Sequence, residues 1–291
     1  MMTPEKDIAT VQGTMEILHK FSLRPRRSLG QNFLVDPFTR EKIIAAASLT
    51  REDTVLEIGP GIGALTQALA RTAGQVIAVE IDRRLADVLR ALFDGVDNVE
   101  ILQADILKMD LGAFSRARGL THFKVTANLP YYITTPVLMR LLESTLPLTG
   151  LTLMVQREVA ERLTASPDGN YGAISVMAQY YADIRIAAMV PPHCFYPKPN
   201  VDSAVLTLVK TEKNRALVSN ENILRQCVKA AFGKRRKTLV NCLAEQPWLG
   251  CSKGEITQIL VQCGFDARIR GEALPLCAFI TLANALNESA K

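Results

Sequence analysis

Thr54-Val55-Leu56-Glu57-Ile58-Gly59-Pro60-Gly61-Ile62-Gly63-Ala64 is the stretch that decides the fold of this chain. A short apolar run ends in glycines at alternate positions, and a helix-like segment over 64–71 follows at once. The run reads as a buried strand, the glycines as a turn and the next segment as a helix. Glycines there let the backbone approach a ligand, and a helix N-terminus points its N–H groups at it. Glu80 ends the following apolar run, Gln75–Glu80. A carboxylate at that position can accept both hydroxyls of a ribose.

The pattern repeats outward from this unit. Strand-like runs recur at 99–102, 122–127 and 151–155, with helical segments over 83–92 and about 136–143. Such alternation predicts an α/β fold with a mostly parallel sheet covered by helices on both faces. Upstream, a short helix is expected over 5–20 and a basic loop over 21–35. Asp36-Pro37 reads as an N-cap with proline at the first helical position, opening a helix to about Ala47. Downstream, 185–190 and 201–208 read as two strands. Their proline-rich link is too short for a helical crossover, so they should pair antiparallel at a sheet edge. Beyond about 212 the pattern becomes helical only, at 220–232, 253–262 and 275–287. The expected division is a larger domain over 1–212 and a small all-helical domain over 213–291.

The glycine loop does not choose its ligand by itself. Gly59-x-Gly61-x-x-Ala64 also fits the dinucleotide fingerprint. Three features lean toward S-adenosylmethionine. Pro60 stiffens the loop, Glu57 stands just before it, and Asp105 follows the third strand, where it can accept from an adenine amino group. A nicotinamide enzyme would also need a hydride-transfer constellation, and none surrounds His19, His122 or His193.

Asn128-Leu129-Pro130-Tyr131 follows the strand at 122–127. An amide oxygen can accept from the exocyclic amine of a flat base, and an aromatic ring can stack on its face. Proline locks φ and holds the turn in one shape. Asn128 capping a turn, and Tyr131 serving only as packing, are the plainer alternatives.

At 291 residues, 48% hydrophobic and 22% charged, the composition is that of an ordinary globular protein. No apolar run is long enough to span a bilayer, and the first residues lack the cationic and apolar regions of a secretion signal. The six cysteines form no CxxC pair, so reduced thiols, no metal and a cytoplasmic location are expected. Net charge is +5, yet the window from Thr207 to Val240 holds nine Lys/Arg, including Lys234, Arg235, Arg236 and Lys237, against Glu212 and Glu221. A second cluster is Lys20, Arg24, Arg26 and Arg27. One such cluster is usually a solvated face; two beside a base-friendly motif favour a polyanion partner.

Taken together these stretches resemble the class I S-adenosylmethionine-dependent methyltransferases that act on adenine N6. More closely, the chain resembles the rRNA adenine N6,N6-dimethyltransferases, and among them the bacterial small-subunit enzymes (the KsgA/RsmA family). The matching segments are 29–34, 55–63, 79–82, 128–136, 155–162, Tyr171-Gly172 and 195–204.

The resemblance implies a Rossmann-like sheet. It makes 1–212 the S-adenosylmethionine-binding catalytic domain and 213–291 a helical rRNA-binding domain. It implies that Asn32 and Leu34 close over the cofactor, that Gly59 and Gly61 meet it through the backbone, and that Glu80 holds its ribose. Asp105 would hold the adenine amino group, with Asn128 between cofactor and target. Asn128, Leu129, Tyr131 and Phe195 form the expected catalytic set, the two aromatics stacking on the extruded adenine, with packing alone the plainer alternative for Phe195. The basic residues Arg24, Arg26, Arg27, Lys234, Arg235, Arg236 and Lys237 would hold RNA phosphates. The expected substrate is 16S rRNA in a pre-30S subunit, the product cofactor S-adenosylhomocysteine, and the protein a monomer. A 23S rRNA or DNA adenine methyltransferase, and an assembly factor acting mainly by binding, are the competing readings.

Overall fold

The computed structural model describes residues 6–26, 29–167, 169–234 and 236–289. In chain order the elements are α1 (Val11–Lys20), β1 (Phe33–Leu34), α2 (Pro37–Ala47), β2 (Thr54–Ile58), α3 (Ala64–Thr72), β3 (Gln75–Glu80) and α4 (Arg83–Leu92). There follow β4 (Val99–Gln103), α5 (Leu111–Ala117), β5 (Phe123–Asn128), α6 (Thr134–Glu143), β6 (Leu148–Gln156), α7 (Arg157–Thr164) and α8 (Ala173–Tyr181). The rest comprises β7 (Ala182–Val190), β8 (Phe195–Tyr196), β9 (Ser203–Lys210), α9 (Glu221–Gly233), α10 (Leu239–Ala244), α11 (Lys253–Gln262) and α12 (Leu276–Ser289).

The chain forms two compact units. One comprises Met1–Ala160 and Arg185–Lys210, the other Glu161–Ile184 and Thr211–Lys291. The sheet has the order β4-β3-β2-β5-β6-β9-β7. Strands β4, β3, β2, β5 and β6 run parallel, and β9 runs antiparallel to β6. The central strands are buried on both faces, as their unbroken apolar runs require: Val55, Val76, Ile77 and Ala78 have no exposed surface. Each such valine or isoleucine contributes roughly 1.5–3 kcal/mol by burial.

Register places the site. Strand order reverses between β2 and β5, and crevices at such switch points take ligands at the carboxyl ends of the strands. Ile58 pairs with Val79 on one side and Ala127 on the other. Gly59, just past β2, therefore stands beside Glu80 and Asn128, the last residues of β3 and β5, at the carboxyl ends of the strands.

Helix α2 begins as its sequence dictates. Asp36 accepts from Thr39 N at 2.8 Å and from its hydroxyl at 2.6 Å, with Pro37 in the first turn. The first helix is shorter than the 5–20 reading, because Thr10 caps it and accepts from Gly13 N at 2.9 Å. The expected edge pair is present: β7 lies at the edge of the sheet beside β9, which joins it to β6. A two-stranded ladder, β1 with β8, pairs Phe33 with Tyr196 and Leu34 with Phe195.

In the second unit α8 brings Val176, Tyr180 and Tyr181 into the core, where the Tyr181 hydroxyl donates to Glu221 at 2.7 Å. Residues 161–184 thus belong with the helices after 211. A boundary drawn only at 212/213 misses this segment, because α8 sits between strands in the sequence.

Candidate active site

The glycine loop runs from β2 to α3 in left-handed conformations that a side chain resists. Gly59 has φ +68° and Gly61 φ +64°. A Cβ at Gly61 would lie 3.1 Å from the Phe33 ring. Gly59 N donates to the Val79 carbonyl at 3.0 Å, and Gly61 N donates to Glu80 Oε2 at 3.2 Å. The loop therefore faces a cavity of about 210 Å³.

Asn32, Leu34, Gly59, Gly61, Glu80, Asp105, Asn128, Leu129 and Tyr131 all line that cavity. Residues distant in sequence meet there because the strand ends are in register. Glu80 is 5% exposed, and its Oε1 accepts from Asp82 N at 2.9 Å. Burial raises its carboxyl pKa, against the N–H groups of Asp82 and Gly61, which lower it. Asp105 Oδ1 accepts from Leu107 N at 3.0 Å, which fixes the carboxylate in its turn.

Asn128 is anchored by its own amide. Its Nδ2 donates to the Asn32 carbonyl at 3.2 Å, and Asn32 Nδ2 donates to the Gly30 carbonyl at 3.2 Å. With the nitrogen thus engaged, Oδ1 is the amide's acceptor, and no protein donor among the described residues meets it. Leu129 is 1% exposed, so the turn is held by a buried side chain. Tyr131 is half-buried, and its hydroxyl lies 2.8 Å from Ser203 Oγ. Burial raises the Tyr131 phenol pKa, and it stays neutral.

Two residues gain weight that sequence reasoning did not give them. Glu57 is 1% exposed and accepts from Thr66 Oγ1 at 2.6 Å. Burial pushes its carboxyl up to about 8; the Thr66 hydroxyl opposes this, and the neighbouring Glu80 charge adds to it. Glu57 had drawn notice only as the residue before the glycines. Ser203 opens β9 fully buried and holds Tyr131, a pairing across 72 positions that no local pattern announces. Gln31 Nε2 also donates to Asp82 Oδ2 at 3.3 Å, beside an Arg26–Asp82 ion pair at 3.5 Å.

Phe195 is the correction. It is 4% exposed, lines no part of the cavity and packs in the core with Met154, Val190 and Val205. Its place in β8, opposite Leu34, turns a ring expected at the site into support for the strand beneath it.

The basic residues differ among themselves. Arg24 and Arg236 are exposed, whereas Arg26 is engaged by Asp82. Lys234 and Lys237 both pair with Glu245, Lys237 at 2.7 Å. Glu245 lies just past the window whose charge looked so uneven. Arg27 and Arg235 lie outside the described residues. Among the described residues no group of three His, Cys, Asp or Glu side chains could hold a metal ion.

The arrangement fits S-adenosylmethionine. It combines a glycine loop without side chains, the buried carboxylate of Glu80, the carboxylate of Asp105 and an apolar lining that includes Leu34 and Leu85.

Comparison with known proteins gives the family. The family described as "Ribosomal RNA adenine dimethylase" matches residues 22–254. A "Ribosomal RNA small subunit methyltransferase A" of Lachnoclostridium phytofermentans is 45% identical over 96% of this chain and 97% of its own. A protein of the same name from Geobacillus kaustophilus is 44% identical, over 97% of each. Among solved structures, a dimethyladenosine transferase from Plasmodium falciparum superposes with a TM-score of 0.74 at 27% identity, covering 86% of this chain and 95% of that one. The 23S rRNA methyltransferase ErmE superposes with a TM-score of 0.69 at 27% identity, covering 88% and 100%.

Proposed function

The chain belongs to the ribosomal RNA adenine dimethylase family, and on that premise we propose that it methylates N6 of two adjacent adenosines in 16S rRNA. The adenosines are those in the loop of the 3′-terminal hairpin, and the methyl donor is S-adenosylmethionine. The product is N6,N6-dimethyladenosine, formed in a pre-30S particle late in subunit assembly. The observation that carries this reading is the amide of Asn128, fixed to Asn32 with its oxygen left to accept, on the cavity shared by Glu80 and Asp105.

S-adenosylmethionine, when bound, supplies an electrophilic sulfonium methyl group. Glu80 would hold its ribose, Asp105 its adenine amino group, and Asn32, Leu34, Gly59 and Gly61 its remaining surface. An adenine N6 amine is a weak nucleophile, because its lone pair is delocalised into the ring. Asn128 Oδ1 and the Leu129 carbonyl accept from the N6 hydrogens and localise that lone pair. Tyr131 stacks on the extruded base, an interaction worth roughly 1–3 kcal/mol.

No carboxylate base is needed. Glu57 is engaged by Thr66, and Glu80 by Gly61 and Asp82, so the proton leaves N6 to solvent. After one transfer N6 keeps one hydrogen, which the same acceptors can hold for the second.

Arg24, Arg26, Lys234, Arg236 and Lys237, with Arg27 and Arg235, are the candidate phosphate contacts. Among the described residues no helix is long and apolar enough to cross a membrane, and we assign the protein to the cytoplasm as a monomer. Identity to the small-subunit relatives, 45%, exceeds the 27% to the 23S enzyme, which favours the small-subunit substrate. The test is to incubate the protein with S-adenosylmethionine and unmethylated small subunits and to digest the RNA for mass spectrometry. Dimethyladenosine at the adjacent pair supports the proposal; its absence overturns it.

A further inference from the structure

Asp105 opens a single turn just after β4, and the turn closes through Asp105 itself. Lys108 N and Met109 N donate to the Asp105 carbonyl at 2.9 and 3.0 Å, while Leu107 N donates to its Oδ1 at 3.0 Å. Asp105 Oδ2 lies 3.8 Å from the exposed Lys108 ammonium, beyond hydrogen-bonding distance. Ala104, Asp105, Ile106 and Leu107 all line the cavity that Glu80 and Asn128 share.

A single turn leaves carbonyls that no continuing helix satisfies. Here one side chain takes two of them. Arg140 donates through Nη1 to the Ile106 carbonyl at 2.9 Å and through Nη2 to the Met109 carbonyl. A guanidinium is planar and carries its donors in a rigid fork, so two bonds from it set both the position and the tilt of the turn.

Arg140 itself stands on a firm base. Helix α6 buries Val137, Leu138, Leu141 and Leu142, each with at most 1% of its surface exposed. Its first residue, Thr134, donates through Oγ1 to the Pro130 carbonyl at 3.3 Å. The helix is thus tied at its start to the Asn128-Leu129-Pro130-Tyr131 turn and, further along, to the turn that carries Asp105. Nothing local in the sequence joins Arg140 to a residue 35 positions earlier.

We propose that Arg140 is a positioning residue for the methyl donor: it holds the 105–109 turn so that the Asp105 carboxylate meets the 6-amino group of the donor's adenine. The inference rests on the reading of Asp105 as the acceptor for that amino group. Arg140 acts through Asp105 and touches neither the cofactor nor the base to be methylated.

The test uses the full-length protein and two ligands, S-adenosylhomocysteine and its purine analogue with hydrogen in place of the 6-amino group. The wild-type chain should bind the analogue about tenfold more weakly. In Arg140→Met that ratio should shrink to about twofold or less, through loss of affinity for the amino-bearing ligand. Arg140→Lys, which keeps the charge and can serve one carbonyl, should fall between them and decides by the same ratio if Arg140→Met does not fold. In kinetics the KM for S-adenosylmethionine should rise in the variants while the KM for RNA stays as it is. A residue that only braced the fold would lower the melting temperature and leave the ratio intact. The wild-type ratio retained in the variants therefore overturns the positioning role and leaves Asp105 as the acceptor. Equal affinity of the wild-type chain for the two ligands overturns both.

Discussion

Tyr131 and Ser203 join their hydroxyls at 2.8 Å, although they leave different strands of the sheet. Tyr131 follows β5 and Ser203 opens β9, so the antiparallel strand at the far side of β6 sets the ring at the cavity wall. Ser203→Ala removes one hydrogen bond, worth about 0.5–1.5 kcal/mol. It should lower kcat/KM for RNA by roughly two- to tenfold and leave S-adenosylmethionine affinity unchanged. Tyr131→Ala should cost more, by roughly 1–3 kcal/mol of lost stacking. Steady-state kinetics with isothermal titration of the cofactor separates the two effects.

Gly61→Ala should impair folding and cofactor binding together. Its φ of +64° is left-handed, and the new Cβ would press on Phe33 at 3.1 Å. The conformation alone costs about 1–2 kcal/mol. Denaturant midpoints should fall accordingly, and titration should show weakened S-adenosylmethionine binding.

Glu57 makes stability depend on pH. Its carboxyl is pushed from 4.5 to about 8 in the fold, chiefly by burial. At a pH below 4.5 both folded and unfolded chains hold the proton. As pH rises from there toward 8, the unfolded chain releases it and the folded chain keeps it, so stability declines through that window. Glu57→Gln retains an acceptor for Thr66 and removes the titration. Its curve of melting temperature against pH should be shallower across this range; an unchanged slope would show that Glu57 does not titrate there.

Much of this was legible because it is local. The strand, glycine turn and helix of 54–72 carry their own punctuation, and so does the Asp36-Pro37 cap. Glu80, Asp105 and Asn128 could be placed because each ends a strand-like run or closely follows one. Non-local features were not legible. The β1–β8 ladder has two residues per strand, too few for any period, so packing stood for Phe195 only as the plainer alternative. Helix α8 is apolar around most of its circumference and lies between strands, which hid its place among the later helices. Ser203 reaches Tyr131 only through the sheet.

RNA binding should respond to Glu245. Its carboxylate pairs with both Lys234 and Lys237, holding two cations that phosphates would otherwise engage. Affinity for the hairpin RNA should fall steeply between about 50 and about 200 mM salt. Glu245→Gln should tighten binding at low salt and steepen that dependence. Filter-binding titrations at several salt concentrations read both.

The central claim is that Asn128 presents N6 of adjacent small-subunit adenosines for methylation. Its most direct measurement is the dimethyladenosine content of 16S rRNA in a bacterial strain lacking this activity, complemented with this protein or its Asn128→Ala variant at equal level. The wild-type chain should restore both dimethyladenosines, and the variant, folded and still binding S-adenosylmethionine, should restore neither. Full restoration by the variant, or none by the wild-type chain, would contradict the account.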